Sequence, residues 1–366
     1  MQATAATARH PRAPTRSRGA TRLERLQREG LRRVGSPARG FRYVDARGRR
    51  VDAKTKERIE ALRLPPAWRD VFISPSSTAS LQAVGRDAAG RWQYRYHAAH
   101  RRKADEAKFR RIVGFARALP RMRRRVNADL RRQGLGRDKV LAATLRILGT
   151  CFIRPGSQRY AEDNASFGIA TLRRNHVRVS GDTVSFDFPG KSGKQQHRQL
   201  TDRRVATLVR KLLKVPGRDV FKFVLDDGLV VDVRRRHINA YIQEVMGEDY
   251  SAKDFRTWAG TLICACALAR ARAKQAQAQA QAKGTALKKS MVAAVKEVAE
   301  HLGNTPAVAR SSYIYPSVLA LFERGQVVDR YFHSVDELTS SRGDRLHCSE
   351  KALLHLLDAP RRRPDA

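Results

Sequence analysis

The chain has 366 residues, 42% of them hydrophobic, enough to bury an ordinary core and to form two domains with tails. Lysine and arginine number 74 against 35 aspartates and glutamates, a formal charge of +39 with a pI near 11.3, so a fibrous or wholly disordered chain is excluded and a polyanionic partner is expected, nucleic acid being the commonest. No apolar run reaches membrane-spanning length, and Cys151, Cys264, Cys266 and Cys348 form neither a CxxC pair nor a zinc-ligand spacing, which predicts a soluble protein in a reducing compartment without disulfides or a metal.

Residues 1–22 are rich in arginine, alanine, serine and threonine and contain no acid, and the stretch 1–36 is expected to be a disordered basic arm. Residues 40–51 predict a hairpin, with Phe41, Tyr43 and Val51 flanking the turn-prone stretch 45–49. Residues 53–62 predict a short helix that stops at Pro65 and Pro66. Strands are expected at 71–73, 80–84 and 92–96, so that 37–101 is a small, mostly β domain. From Arg102 onward Ala107, Phe109, Ile112, Phe115 and Ala116 recur at helical spacing among arginines, and 140–153 predicts a second helix. Alternation returns at Val177, Val179, Val184, Phe186 and Phe188, which predicts a three-stranded antiparallel sheet with its hairpin tip at 189–194. Helices are expected at 202–213, 234–246, 255–268 and 287–302. The glutamine-alanine stretch 271–286 is compatible with a helix but has no apolar face to bury, and predicts an exposed excursion. A C-terminal helix and basic tail are expected over 346–366. The fold class is therefore α+β: a small, mostly β N-terminal domain followed by a mainly α-helical domain, 102–345, that carries the small three-stranded sheet.

Five polar positions stand out for chemistry. Arg154 follows an apolar helix in Cys151-Phe-Ile-Arg-Pro-Gly, where taken alone it is a helix-end dipole partner. Lys191 lies at the hairpin tip in Phe188-Pro-Gly-Lys-Ser-Gly-Lys. A phosphate-binding nucleotide loop would need glycine at position 185, which is Ser185, and would join a strand to a helix, so that reading fails. Arg256, in Lys253-Asp-Phe-Arg-Thr, opens a helix that Asp254 can cap, with Lys253 one turn away on the same face. Asn304 and Tyr313 lie in Leu302-Gly-Asn-Thr-Pro-Ala-Val-Ala-Arg-Ser-Ser-Tyr. There Gly303 closes one helix, and Thr305 with Pro306 starts the next.

Arginine, hairpin lysine, KxxR and GNTP followed by tyrosine occur here in the order of the type IB DNA topoisomerases, and over roughly residues 39–323 the chain resembles their small bacterial and poxviral branch. The resemblance implies Tyr313 as nucleophile, Arg154 and Arg256 as phosphate clamps, Lys191 as general acid and Asn304 as third phosphate donor. By the same comparison Tyr94, Tyr96, Tyr160 and Lys253 resemble DNA contacts. Asn304 departs from the poxviral histidine but still donates a hydrogen bond to a phosphate oxygen. The implied activity is relaxation of supercoiled duplex DNA through a 3′-phosphotyrosyl intermediate, by a monomeric clamp that uses neither ATP nor metal. The implied setting is the bacterial cytoplasm, at the nucleoid. A tyrosine recombinase shares the chemistry but typically has histidine where Lys253 stands, and an architectural DNA-binding protein accounts for the charge but not for Asn304 and Tyr313.

Overall fold

Two compact units, Met1–Ala107 and Lys108–Ala366, make up the chain. The computed structural model describes residues 21–277, 284–340 and 343–358.

The first unit begins earlier than its composition suggests. The Thr21 hydroxyl accepts from the Glu24 amide at 3.2 Å while the Glu24 carboxylate accepts from the Thr21 amide at 2.8 Å, a reciprocal cap that starts α1 (Arg22–Glu29). The chain then enters β1 (Leu31–Ser36), pairs it with β2 (Gly40–Val44), forms α2 (Ala53–Ala61), and adds β3 (Arg69–Ile73), β4 (Leu81–Arg86) and β5 (Trp92–Tyr96). The result is one antiparallel sheet in the order β2-β1-β3-β4-β5. Leu31, Ile59, Val71, Ile73 and Ala83 form one small core, and Leu26, Leu81 and Val84 form another with Leu23, Phe72 and Trp92.

The expected basic arm is thus too long by residues 21–36. Leu23, Leu26 and Leu31 supply apolar contacts to this unit, which offset the entropy of ordering; positions 1–20 lie outside the described residues. The turn expected at 45–49 is present, since the Asp45 carboxylate accepts from the Arg47 and Arg49 amides, each at 2.9 Å. Its far side contributes only the Val44–Arg50 bridge, and β2 finds its main partner in β1.

The second unit is mainly helical. Past α3 (Ala98–Asp129), in which the boundary between units falls, come α4 (Arg137–Cys151), α5 (Gln158–Asn164), β6 (Val177–Ser180), β7 (Thr183–Pro189), β8 (Gln195–Thr201) and α6 (Arg203–Lys214). A short hairpin, β9 (Lys222–Val224) and β10 (Val230–Asp232), precedes α7 (Arg235–Met246), α8 (Ala252–Gln277), α9 (Gly284–Leu302), α10 (Pro306–Ser312), α11 (Pro316–Glu323), α12 (Val335–Ser340) and α13 (Cys348–Asp358). The stretches 140–145 and 256–269 are buried throughout, as helices that are apolar all round must be. They make α4 and α8 the centre of the core, and the sheet β6-β7-β8 lies beside them.

One local expectation changes, one element continues further and one hairpin is added. Asp254 is not the capping residue of α8: the helix begins at Ala252, and the Asp254 carboxylate reaches back to the Ser251 amide and hydroxyl, each at 2.9 Å. Asp254 also pairs with Arg111 at 2.9 Å. The first part of the glutamine-alanine stretch continues α8 to Gln277 as a half-buried to exposed helix, and Gln275 donates to Ser290 of α9 at 3.2 Å. Ala and Gln sustain a helix without an apolar stripe once a neighbour is in reach; positions 278–283 lie outside the described residues. The β9–β10 hairpin was not anticipated, because its strands are only three residues long.

At the C-terminal end, buried Glu350 of α13 accepts from Arg123 at 2.8 and 2.9 Å and from the Trp258 indole at 3.0 Å. This docks α13 onto α3 and α8. Among the described residues no helix is long and apolar enough to cross a membrane.

Candidate active site

Arg256 reaches the site from the buried first turns of α8 and is only 2% exposed. One terminal nitrogen donates to the Phe152 carbonyl and the other to the Leu302 carbonyl at 2.8 Å. Phe152 closes α4 with a φ of 54°, the left-handed conformation that is uncommon outside glycine and commonly ends helices. Two residues later Arg154 donates to the Gly303 carbonyl at 3.3 Å and to the Asn304 side-chain oxygen. Both guanidiniums are therefore anchored on the end of α9 and the turn that follows it, although 150 positions separate Arg154 from Asn304.

That turn is set by local sequence. Gly303 has a φ of 60°, its amide donates to Glu300 at 3.1 Å, and the Asn304 amide donates back to Ala299 at 2.8 Å, the double closure typical of a glycine-ended helix. Thr305 then accepts from the Val308 amide at 3.4 Å and Pro306 takes the first helical position. Tyr313 ends α10, its amide donating to Ala309 at 3.0 Å, and the Arg256 guanidinium lies 5.0 Å from its ring centroid.

The backbone of Tyr313 rests on α8. The buried Thr261 hydroxyl shares its one proton between the Thr257 carbonyl at 2.8 Å and the Tyr313 carbonyl at 3.2 Å, and accepts from the Tyr315 amide at 3.2 Å. A Cβ at Gly260 would stand 2.8 Å from the Tyr313 carbonyl oxygen and 3.1 Å from its Cβ. Any side chain at position 260 would therefore displace the Tyr313 backbone.

Electrostatically the cluster favours negative charge. Burial pushes the Tyr313 phenol up, but the charge of Arg256, together with that of Arg154 and Lys253, outweighs it and holds the group below the ordinary tyrosine value. Burial, and then the charge of Arg154, push the Arg256 guanidinium down to about 10, which leaves it cationic at neutral pH. Among the described residues, two buried donors at this site have no hydrogen-bond partner, Nε of Arg256 and Nδ2 of Asn304. Beside Asn304 a groove of about 550 Å³ is lined by Lys194, Arg198 and Lys296 among others.

The structure gathers Arg154, Arg256, Asn304 and Tyr313. Lys253 is exposed on α8 but bears on Tyr313. Lys191 is exposed at the tip between β7 and β8, and among the described residues no hydrogen bond or ion pair joins it to the other four. Tyr94 and Tyr96, in the first unit, project from the same face of β5 with 45% and 39% exposure, their rings stacked 6.3 Å apart. The backbone of Tyr160 is in α5, and its side chain lies outside the described residues. Tyr315, the other tyrosine near the turn, stacks on Phe109 at 5.0 Å. Sequence reasoning missed Gly260, Thr261, Gln196 and Arg198. A visible signal existed for Arg198, since the period of two along β8 places it on the inward face with Gln196 and Leu200.

Residues 97–320 match the family described as the eukaryotic DNA topoisomerase I catalytic core, and residues 40–87 match the bacterial DNA topoisomerase IB N-terminal domain. The DNA topoisomerase 1B of Acanthamoeba polyphaga mimivirus is 31% identical over 299 residues, covering 81% of this chain and 88% of the relative. The DNA topoisomerase 1B of Vaccinia virus (strain Copenhagen) is 21% identical over 287 residues, covering 76% and 85%. These matches select an enzyme over an architectural DNA binder and a topoisomerase over a recombinase. With a catalytic-core match over most of the second unit and a bacterial-type N-terminal match in the first, the chain belongs to the type IB DNA topoisomerases, and its substrate is DNA.

Proposed function

We propose that Tyr313 cuts one strand of duplex DNA while Arg154, Arg256 and Asn304 hold the scissile phosphate and Lys191 acts as the general acid. The observation that carries this reading is the pair of buried donors without partners, Nε of Arg256 and Nδ2 of Asn304, beside a phenol whose ionised form the surrounding cations favour. Buried donors are rarely left unpaired, and a phosphate oxygen is the acceptor that suits both.

In the forward step the Tyr313 oxygen bonds to phosphorus as its proton passes to solvent, and the bond from phosphorus to the 5′ oxygen breaks. The 5′ oxygen leaves with a proton from Lys191, and the phosphate stays on the 3′ end as a tyrosyl ester. Charge that builds on the non-bridging oxygens falls on guanidiniums already fixed by Phe152, Leu302 and Gly303 carbonyls, so little reorganisation accompanies the step. The ester conserves the bond, and the free 5′ hydroxyl reseals the strand after rotation. Lys191 reaches the 5′ oxygen when the hairpin tip moves toward bound DNA.

The protein acts as a monomer that closes around duplex DNA, with Tyr94, Tyr96, Tyr160 and Lys253 among its DNA contacts, in the bacterial cytoplasm at the nucleoid. Fixed cations do the work that a metal performs elsewhere, and the energy-neutral ester exchange needs no nucleotide. Supercoiled plasmid mixed with the pure protein in EDTA, without ATP, is expected to give a ladder of relaxed topoisomers. The activity should fall as salt rises through the counterion effect on binding. A mobility shift without relaxation would overturn the proposal.

A further inference from the structure

The side chain of Gln196, on β8, is wedged between two glycines, and each glycine precedes a residue of the proposed site. A Cβ built at Gly190 would meet Gln196 Cγ at 2.8 Å, and one built at Gly303 would meet its Oε1 at 2.5 Å and Nε2 at 3.0 Å. Gly190 leads into Lys191, and Gly303 leads into Asn304. Gly303 needs glycine in any case, because its φ is 60°. Gly190 does not: its φ of −91° and ψ of −161° are extended backbone open to any residue. What a side chain there meets first is Gln196, with the Lys194 carbonyl oxygen next at 3.3 Å.

Gln196 is in turn held in place. Its amide nitrogen donates to the Lys194 carbonyl at 3.2 Å and the Gln195 carbonyl at 3.1 Å, and its oxygen accepts from Arg198 at 3.2 Å. Arg198 also donates to the His301 carbonyl at 3.1 Å and the His197 carbonyl at 2.8 Å. His301 is in the last turn of α9, whose carbonyls lack helical partners, so Arg198 both closes that helix and ties β8 to it. The register sets Gln196 opposite Phe188 and Arg198 opposite Phe186, two buried rings that back the strand. The base of the hairpin is therefore fixed to the turn that carries Asn304, while its tip is exposed.

We infer that Gln196, held by Arg198, is a positioning residue that sets the spacing between the Lys191 hairpin and the Asn304 turn, so that the acid meets the 5′ oxygen leaving the phosphate that Asn304 holds. This rests on the proposed roles of Lys191 and Asn304. Gln196 touches neither DNA nor the reacting atoms in this account. A general acid has to come within hydrogen-bonding reach of the atom it protonates, and a tip that pivots on a loosened base samples that position less often.

The test is single-turnover cleavage, by the full chain, of two duplexes cut at one mapped site. One is ordinary DNA, and in the other sulfur replaces the bridging 5′ oxygen of the cleaved phosphodiester. A thiolate leaves without a proton, so defects confined to the acid disappear with it. Gln196→Ala is expected to slow cleavage of the oxygen duplex ~10- to 100-fold, with DNA affinity unchanged, and to cleave the sulfur duplex at nearly the wild-type rate. Gly190→Ala should repeat the pattern, since its methyl meets Gln196 Cγ at 2.8 Å, closer than the Lys194 carbonyl oxygen at 3.3 Å, and it serves if Gln196→Ala folds poorly. Lys191→Ala tests the acid role itself, with an expected loss of ~10²- to 10⁴-fold on oxygen and recovery on sulfur. If Lys191→Ala does not recover, the acid assignment is wrong and the inference falls with it. If Lys191→Ala recovers while Gln196→Ala and Gly190→Ala are slowed equally on both duplexes, or on neither, the positioning role alone is overturned.

Discussion

Tyr313→Phe is expected to abolish plasmid relaxation and covalent complex formation while DNA affinity changes by no more than about 0.5 kcal/mol. The substitution removes one oxygen and keeps the ring that lies 5.0 Å from the Arg256 guanidinium, so the face-to-cation contact survives. The seat made by Gly260 and Thr261 contacts only the backbone and Cβ of Tyr313, and the variant should fold normally. With no nucleophilic oxygen there is no ester, and no neighbouring group takes over. The nearest alternative, Tyr315, has its ring stacked flat on Phe109 with 3° between the planes. Peptide mapping of the wild-type adduct after denaturation should place the DNA on residue 313. An adduct on Tyr315, or relaxation by Tyr313→Phe, would reject the assignment.

Arg256→Ala should show the next largest effect, and in two separate measurements. Strand cleavage is expected to fall ~10²- to 10³-fold, the usual consequence of losing one fixed donor to developing charge. Stability should fall by about 1–3 kcal/mol, because the Phe152 and Leu302 carbonyls lose a buried partner. The pH profile separates the chemical loss from the structural one. Arg256 is the strongest influence holding the Tyr313 phenol below its ordinary value. In the wild type, cleavage that requires the phenolate should therefore rise with pH and level off before the unperturbed tyrosine value of ~10. In Arg256→Ala the plateau should move to higher pH. Arg256→Lys should restore part of this shift but less of the rate, since an ammonium lacks the planar fork that spans Phe152, Leu302 and a phosphate oxygen. An unchanged pH profile in Arg256→Ala would separate this arginine from the activation of Tyr313.

Much of the local structure was legible because its causes lie within a few residues. Gly303, Thr305 and Pro306 specify the end of α9 and the start of α10 through a left-handed glycine, a hydroxyl cap and a preset φ, all of which the structure contains. Alternation at Val184, Phe186 and Phe188 specifies β7 in the same way. Where composition was used in place of pattern, the reading erred. The arginine-rich start concealed Leu23, Leu26 and Leu31.

What the amino-acid sequence determined by itself is the supply of chemistry: a phenol, two guanidiniums, a lysine and an amide in an order that resembles one family, on a chain charged to hold polyanions. Only the tertiary structure decided which of them meet. The Arg154–Asn304 hydrogen bond, the burial of Arg256 against Tyr313, the close approach of Gly260 to that tyrosine and the wedge of Gln196 between Gly190 and Gly303 all join distant parts of the chain. Helical and strand periodicity say which face turns inward, not which face of another element it will find. That choice is made by packing of the whole core.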